Sequence, residues 1–461
     1  MKAVTITSNA ALLGLQLQSP DSDCKLGRFA TDGVYSRVYK SEFTMCKYSA
    51  YYSSFTILLT GGLWLLPDPL IGLVGSADVR ATVYAETQEA SRLATSAPER
   101  VGLDAHRLSL MDPLIAGGIE AGNMPGCVVC VGRHGRIGWL KAYGNKQLQP
   151  ETQPMTIDTL FDMASITKPV ATATSIMKLV ENGQLRLSQK VTDVFPEFGT
   201  NGKEAITILD LLTHQSGLIP DNALSDYQQG AAIAWQKICE LELTAPVGGQ
   251  FKYSDVNFIV LGKIVEELSG MSLSDYTRQE LFGPLGMLET GFVPDEELRR
   301  RAAPTEQRDD RWIQGVVHDP RSYELGGVAG HAGLFSTAED LALYAQMMLG
   351  DGTLPALGDQ GARRILSAAS VRVMTSAYPG SAGLRGLGWD KQSTYSSNRG
   401  DLLSPQAFGH GGFTGTVLWI DPELDLFFIF LSNRVHPDGK GHVNSLAGQI
   451  ANLVSAAVIT D

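Results

Sequence analysis

Cysteine is scarce in this chain of 461 residues: five in all, an odd number, which gives no basis for a disulfide framework. Basic residues are the minority charge. Lys and Arg number 37 against 49 Asp and Glu, a net charge of −12, and a chain without a basic stripe is not built for nucleic acid. No apolar run is long enough for a stable membrane span. No His-Glu-x-x-His pair occurs among the eight histidines, so no metal site is expected, and no cofactor is implied. The Gly-x-Ser-x-Gly elbow is also absent, which counts against an α/β-hydrolase. What remains is a chain of 44% hydrophobic residues, long enough for more than one domain.

The first 95 residues differ from the rest. Residues 1–44 carry no period and read as an over-extended gene start. From Met45, Lys47 supplies a short positive region, Phe55 to Leu66 a twelve-residue apolar run, and Gly75-Ser76-Ala77 small residues suited to cleavage. The run over 45–77 therefore reads as a secretory signal, the alternative being a disordered tail with one apolar patch. Residues 96–461 form the working body and, if the signal is real, an exported one.

Within the body, Gly126–Asn145 predicts a β-hairpin turning at Arg133–Gly135, and Thr414–Arg434 a second one turning at Asp421–Leu424. Cys127 and Cys130 lie on the first hairpin and would point to opposite faces of it as core residues. Helices are predicted after Asp104, after Ser165, at Thr207 with a capping box to Asp210, after Tyr253, near Ser336 or Thr337, and from Val443 to the end. Strands near both ends and helices between them predict an α+β fold: one antiparallel sheet flanked by helices, with an all-helical subdomain inserted at roughly 185–325.

Ser-x-x-Lys occurs at Ser22/Lys25, Ser165/Lys168 and Ser175/Lys178. Context separates them. Ser175 falls inside a helix, where serine faces solvent or back-bonds to a carbonyl. Ser165 immediately precedes a helix with Pro169 in its first turn, apolar Val170, Ala173, Ile176, Met177 and Val180 on one side, and Gly183 at its stop. Ser165 and Lys168 would then share a face, a nucleophile beside a basic group, although Ser165 alone also fits a plain N-cap. Two further stretches carry polar groups at element ends. Tyr253 and Asp255 stand on a loop before a strong amphipathic helix. His410-Gly411-Gly412 opens a strand, with glycines that allow close approach of a substrate to backbone N–H groups. Each alone also fits a structural role, Tyr253 as a packing residue and His410 as a satisfied strand-end histidine.

Together and in this order, "SITK", "YSD" and "HGG" make residues 98–457 resemble the serine β-lactamase and penicillin-binding-protein superfamily, in its class C, DD-peptidase and class VIII esterase-like branch. "LLTHQSGL" (211–218), "LFGPLGM" (281–287) and "FTGTVLWIDPE" (413–423) support the match. The resemblance implies a mixed α/β domain and a helical domain with the site between them. It implies that Ser165 forms an acyl-enzyme, that Lys168 lowers the serine pKa or shuttles its proton, and that Tyr253 acts as general base or acid. Backbone N–H groups of Ser165 and Phe413 would form the oxyanion hole. Asp255 stands where relatives often have Asn, and would orient Lys168 or the substrate. His410 stands where others have the Lys of Lys-Thr-Gly, which weakens the charge that would hold a β-lactam or peptide carboxylate. A glycine-rich stretch at 315–337 holds His318, Asp319 and His331, which either line the cleft or form a tight turn. The implied activities are a D-Ala-D-Ala carboxypeptidase or related peptidase or amidase, a carboxylesterase, or a weak β-lactamase. The implied partner is a peptidoglycan stem peptide, an ester or a β-lactam. A non-catalytic sensor of the same fold is a distant alternative, since Ser165, Lys168 and Tyr253 are all present.

Overall fold

The computed structural model describes residues 92–459. The signal-like run over 45–77 and the Ser22/Lys25 pair lie outside the described residues.

One antiparallel sheet dominates. Its strands are β1 (Gly126–Arg133), β2 (Arg136–Gln147), β3 (Gln153–Pro154), β4 (Tyr378–Gly380), β5 (Gly383–Arg385), β6 (Asp390–Ser393), β7 (Phe408–Gly411), β8 (Thr416–Asp421) and β9 (Leu426–Ser432). Their order across the sheet is β4-β5-β6-β7-β8-β9-β1-β2-β3. The early hairpin β1–β2 and the late hairpin β8–β9 meet through β1 and β9, with Cys130 opposite Ile429, so both ends of the body share one sheet as the sequence predicts. The early turn places His134 (φ 53°) and Gly135 (φ 74°) in the left-handed region, the two-residue form that matches strand twist.

β9 is apolar along nearly its whole length because both sheet faces are covered. Phe427, Ile429 and Leu431 pack with Val128 and Cys130 against the helical body. Phe428 and Phe430 pack with Cys127 and Val129 against α1 (Met111–Glu120) and the C-terminal helix α6 (Asn444–Ala456). The two cysteines thus point to opposite faces, buried and unpaired.

The other helices that matter for the site are α2 (Thr174–Glu181), α3 (Ile208–Leu212), α4 (Asp255–Ser269) and α5 (Ala338–Leu349). The Thr207–Asp210 capping box opens α3, Ser254 caps α4 and Thr337 caps α5. Asp255 is therefore the first residue of α4, while Tyr253 alone keeps the predicted loop position. The helix expected straight after Ser165 begins irregularly. Ala164–Ile166 is a 3₁₀ turn and Lys168–Ala173 a wide π turn, with regular α2 only from Thr174. Pro169 supplies no N–H there, and the Thr174 hydroxyl donates to the Pro169 carbonyl, so a side chain satisfies part of the loosened ladder, while the Thr172 hydroxyl ties the segment to the Gly330 carbonyl.

Candidate active site

Every residue from Phe161 to Met177 is buried except Ser165, which reaches partly into solvent. The segment leading to it is pinned. Phe161–Asp162 pairs with Phe335–Ser336, and the buried Asp162 carboxylate accepts N–H bonds from Ala164 (2.8 Å) and His318 (2.7 Å). Ala164, just before the serine, has φ 44°, a left-handed conformation rare for alanine and a mark of strain at functional sites.

The loop between β7 and β8 is stitched to the same backbone. Thr414 Oγ1 donates to the Asp162 carbonyl (2.7 Å) and Thr416 Oγ1 to the Met163 carbonyl (3.1 Å). Gly412 sits between them, so close that a Cβ there would lie 2.5 Å from the Met163 carbonyl oxygen and closer still to Thr416 Oγ1. This approach brings the Phe413 backbone alongside the serine turn. Gly412→Ala is accordingly expected to lower stability by about 1–3 kcal/mol through overpacking and to impair acylation; thermal melting and ester turnover measured together check this.

Lys168 is fully buried. Its ammonium donates to Ser165 Oγ (3.0 Å) and to the His331 carbonyl (3.1 Å) and pairs with Asp255 Oδ1 at 2.6 Å. Burial alone would lower its pKa, but the Asp255 carboxylate and then Tyr253 outweigh burial and hold it above the ordinary lysine range. An ammonium has donors and no lone pair. Toward Ser165 it can stabilise an alkoxide but cannot take the proton.

Tyr253 is half-buried, its ring 5.0 Å from the Lys168 ammonium. It is sandwiched between His214 (centroids 4.5 Å apart, planes at 27°) and Tyr395 (5.2 Å, 20°). His214 comes from the "LLTHQSGL" stretch. Its Nδ1 accepts the Ser254 N–H (3.1 Å), and burial drops its pKa well below the ordinary value, so it is a neutral aromatic wall.

His410 is likewise neutral. Burial, reinforced by Arg385 and Lys168, pushes its pKa well down. Its Nδ1 lies 2.8 Å from the Gly411 carbonyl, which only a protonated Nδ1 can satisfy, so Nε2 is left as a lone-pair acceptor. That Nε2 is buried without a protein partner.

The polar residues of the glycine-rich segment make two separate sets of contacts. Asp319 caps the turn Pro320–Glu324 and pairs with the buried His331 (2.9 Å). Burial would raise the Asp319 pKa, but His331 and then the Ser322 N–H hold it below the carboxylate range. The pair acts behind the site, through the His331 carbonyl that receives Lys168. His318 instead is stacked on the Phe413 ring (5.5 Å, 22°) and bonded to Glu306. Asp255, Asp319 and His331 bring ligating atoms within 4.8 Å of one another. The Lys168 ammonium already supplies positive charge at that cluster, which gives no reason to invoke a metal.

The structure thus brings together Ser165, Lys168, Asp255 and Tyr253, and sets His410, Gly411, Gly412 and Phe413 along the opposing strand and loop. His214, Tyr395, Arg385 and Arg434 were not singled out from the sequence. His214 lay within a recognised stretch and was discoverable. The others are remote in sequence and carry no local motif.

Comparison with known proteins gives a consistent result. The family model described as Beta-lactamase matches residues 111–452. An N-acetylmuramyl-L-alanine amidase of Bacillus subtilis (strain 168) is 34% identical over 377 residues, which is 73% of this chain and 83% of that protein. A protein of Escherichia coli (strain K12), named provisionally as a D-alanyl-D-alanine carboxypeptidase, is 32% identical over 383 residues, 75% of this chain and 86% of its own. The crystal structure of a class C beta-lactamase superposes with a TM-score of 0.63 at 19% identity, covering 78% of this chain and 98% of that one, a likeness of fold.

Proposed function

Since the chain belongs to the β-lactamase family, we propose that it is a serine hydrolase working through an acyl-enzyme at Ser165, most suited to D-alanyl-D-alanine peptides or related peptide amides. One observation carries the assignment of roles. Lys168 is held as an ammonium by Asp255 and donates to Ser165, so it stabilises the nucleophilic oxygen electrostatically while Tyr253 relays the proton: its oxygen accepts the Ser165 proton as its own O–H proton passes to the leaving group. The N–H groups of Ser165 and Phe413 receive the oxyanion. Water in place of the leaving group reverses the sequence and frees the enzyme.

The peptide reading draws support from the names of the relatives at 34% and 32% identity, an amidase and a carboxypeptidase. Neutral His410, in the position where a lysine would hold a β-lactam carboxylate, makes efficient β-lactam hydrolysis the weaker option. Carboxylesterase activity is the second reading. It is favoured by the exposed rings of Tyr395 (52%) and Phe413 (60%), which offer apolar walls to an ester. Action outside the cytoplasm fits the signal-like run and a cell-wall substrate.

Purified protein assayed side by side against a D-Ala-D-Ala peptide, a muramyl-peptide amide, p-nitrophenyl esters and nitrocefin tests the reading. Turnover of either peptide above the others supports it, and turnover of nitrocefin alone overturns it.

Asp255 gives a pH test of the division of labour. Its carboxylate raises the Lys168 pKa, so the ammonium persists to high pH and is lost only as pH rises through the raised value. Asp255→Asn removes that support and lowers the Lys168 pKa. The alkaline limb of kcat/KM is expected to move to lower pH by about one unit or more. An unmoved limb would show that the Lys168 charge does not govern activity.

A further inference from the structure

The second of the two oxyanion donors is the Phe413 N–H, and it belongs to an exposed residue. Phe413 is 60% exposed, the most of any large apolar side chain among the described residues. A donor aimed at developing charge is effective only when it is already in place before the reaction. The turn that carries it has little stiffness of its own. Gly411 and Gly412 precede Phe413, and Gly415 follows at φ 108°. The Gly412 N–H bonds to the Thr416 carbonyl (2.7 Å) and the Gly415 N–H to the Gly412 carbonyl (3.0 Å), which closes the turn upon itself. Its placement against Ser165 depends on contacts from outside.

Those contacts lead to Asp162, 3% exposed. The Asp162 carbonyl receives the Thr414 hydroxyl (2.7 Å). One carboxylate oxygen receives the N–H of Ala164, the residue before Ser165, and the other receives the N–H of His318. The His318 ring is stacked on the Phe413 ring. A single buried carboxylate therefore sets the serine turn with one oxygen and, with the other, the residue whose ring meets the second donor.

His318 is anchored on several sides. Val317, just before it, packs in one buried cluster with Leu160 and Phe335. Arg308 donates to the His318 carbonyl at 2.8 Å, and Glu306 bonds the ring at Nε2. Phe413 lacks such anchors: among the described residues it joins no hydrophobic core cluster. Its ring also lies 4.5 Å from the Arg434 guanidinium, but that long side chain is tied by one bond, from Nη1 to the Gly441 carbonyl (2.7 Å). The ring of His318 is the stiffer support, and two flat rings at 22° fix orientation as well as distance.

We propose that His318 is a positioning residue of the oxyanion hole: its ring, tethered through its own backbone N–H to the Asp162 carboxylate, holds the Phe413 N–H in register with the Ser165 N–H. This role rests on the acyl-enzyme reading, which supplies the oxyanion. His318 acts through Phe413 and takes no part in proton transfer, so its removal loosens the hole and leaves ground-state binding in place.

Two measurements test it. The first is a double-mutant cycle on kcat with p-nitrophenyl butyrate. His318→Ala removes the ring and keeps the backbone N–H on Asp162, and kcat is expected to fall roughly 10-fold or more with KM little changed. His318→Phe, which keeps a flat ring and loses the bond to Glu306, should recover most of that loss. Phe413→Ala keeps the N–H and loses the ring, and combining it with His318→Ala should cost no more in kcat than the larger single loss. Thermal melting of each variant separates these effects from unfolding. The second is inhibition by phenylboronic acid, which adds to a serine hydroxyl as a tetrahedral anion and so resembles the intermediate. His318→Ala should weaken it by about the same factor as kcat. Losses that multiply in the double variant, a His318→Phe protein no better than His318→Ala, or boronate inhibition indifferent to His318 overturns the proposal and leaves the acyl-enzyme reading standing. Boronate inhibition that Ser165→Ala does not weaken overturns both.

Discussion

Ser165→Ala should reduce ester and peptide hydrolysis by on the order of 10⁴–10⁶-fold, the scale of loss when a nucleophile is removed from a site whose members act as a unit. The prediction is sharp because a second Ser-x-x-Lys pair lies one helical stretch away. Ser175 is buried, and its hydroxyl donates to the Ala171 carbonyl at 2.7 Å, four residues back. Nothing in that geometry activates it or exposes it to a substrate. Ser175→Ala should therefore leave kcat within a few-fold of the native value, with only the modest stability cost of one intrahelical hydrogen bond, about 1 kcal/mol. Parallel kinetics and thermal melting of the two variants check both halves. A Ser175→Ala protein as dead as Ser165→Ala, yet still folded, would contradict the assignment.

The second large effect is expected at Tyr253. Loss of one hydroxyl from a merely packed ring costs a hydrogen bond, a few-fold in rate at most. A phenol oxygen that relays the proton contributes roughly 10²–10⁴-fold, about 3–5 kcal/mol of barrier. The Lys168 contacts decide between these. An ammonium that donates to Ser165 Oγ and pairs with Asp255 cannot also accept the serine proton. Tyr253→Phe is therefore expected to lose at least about 10²-fold in kcat. Its ring stays sandwiched between His214 and Tyr395, so the melting temperature should hardly move. A stable Tyr253→Phe protein with near-native kcat would return the role of base to Lys168.

The most legible parts of the chain were those where short-range spacing carries the physics. Ser165 and Lys168 are one turn apart, and that spacing survives even though the turn is 3₁₀ and π rather than α. The two hairpins were visible because β1, β8 and β9 are apolar runs bounded by tight turns. The opposite facing of Cys127 and Cys130 follows from the two-residue period of a strand. Strands β4, β5 and β6, by contrast, hold three or four residues each and are interrupted by glycines, so no alternation announces them. The π turn was hidden because apolar periodicity over Val170–Val180 is nearly the same for one wide turn as for none. The walls of the site were hidden for another reason. Arg385, Tyr395 and Arg434 reach the cleft only through long-range pairing of β5 through β9, which no local pattern encodes. His410 shows the limit most clearly. Its type could be read as a weakened charge, but its tautomer is set by the Gly411 carbonyl and its neutrality by burial, both tertiary facts.

The account turns on Ser165 becoming covalently acylated, and one measurement addresses this directly. The protein is mixed with a p-nitrophenyl ester, quenched in acid during turnover, digested and mapped by mass spectrometry. The acyl mass is predicted on the peptide containing Ser165, with that adduct forming and decaying at rates that match turnover. An acyl mass on Ser175, or steady turnover with no adduct on the Ser165 peptide in either native or Tyr253→Phe protein, would contradict it.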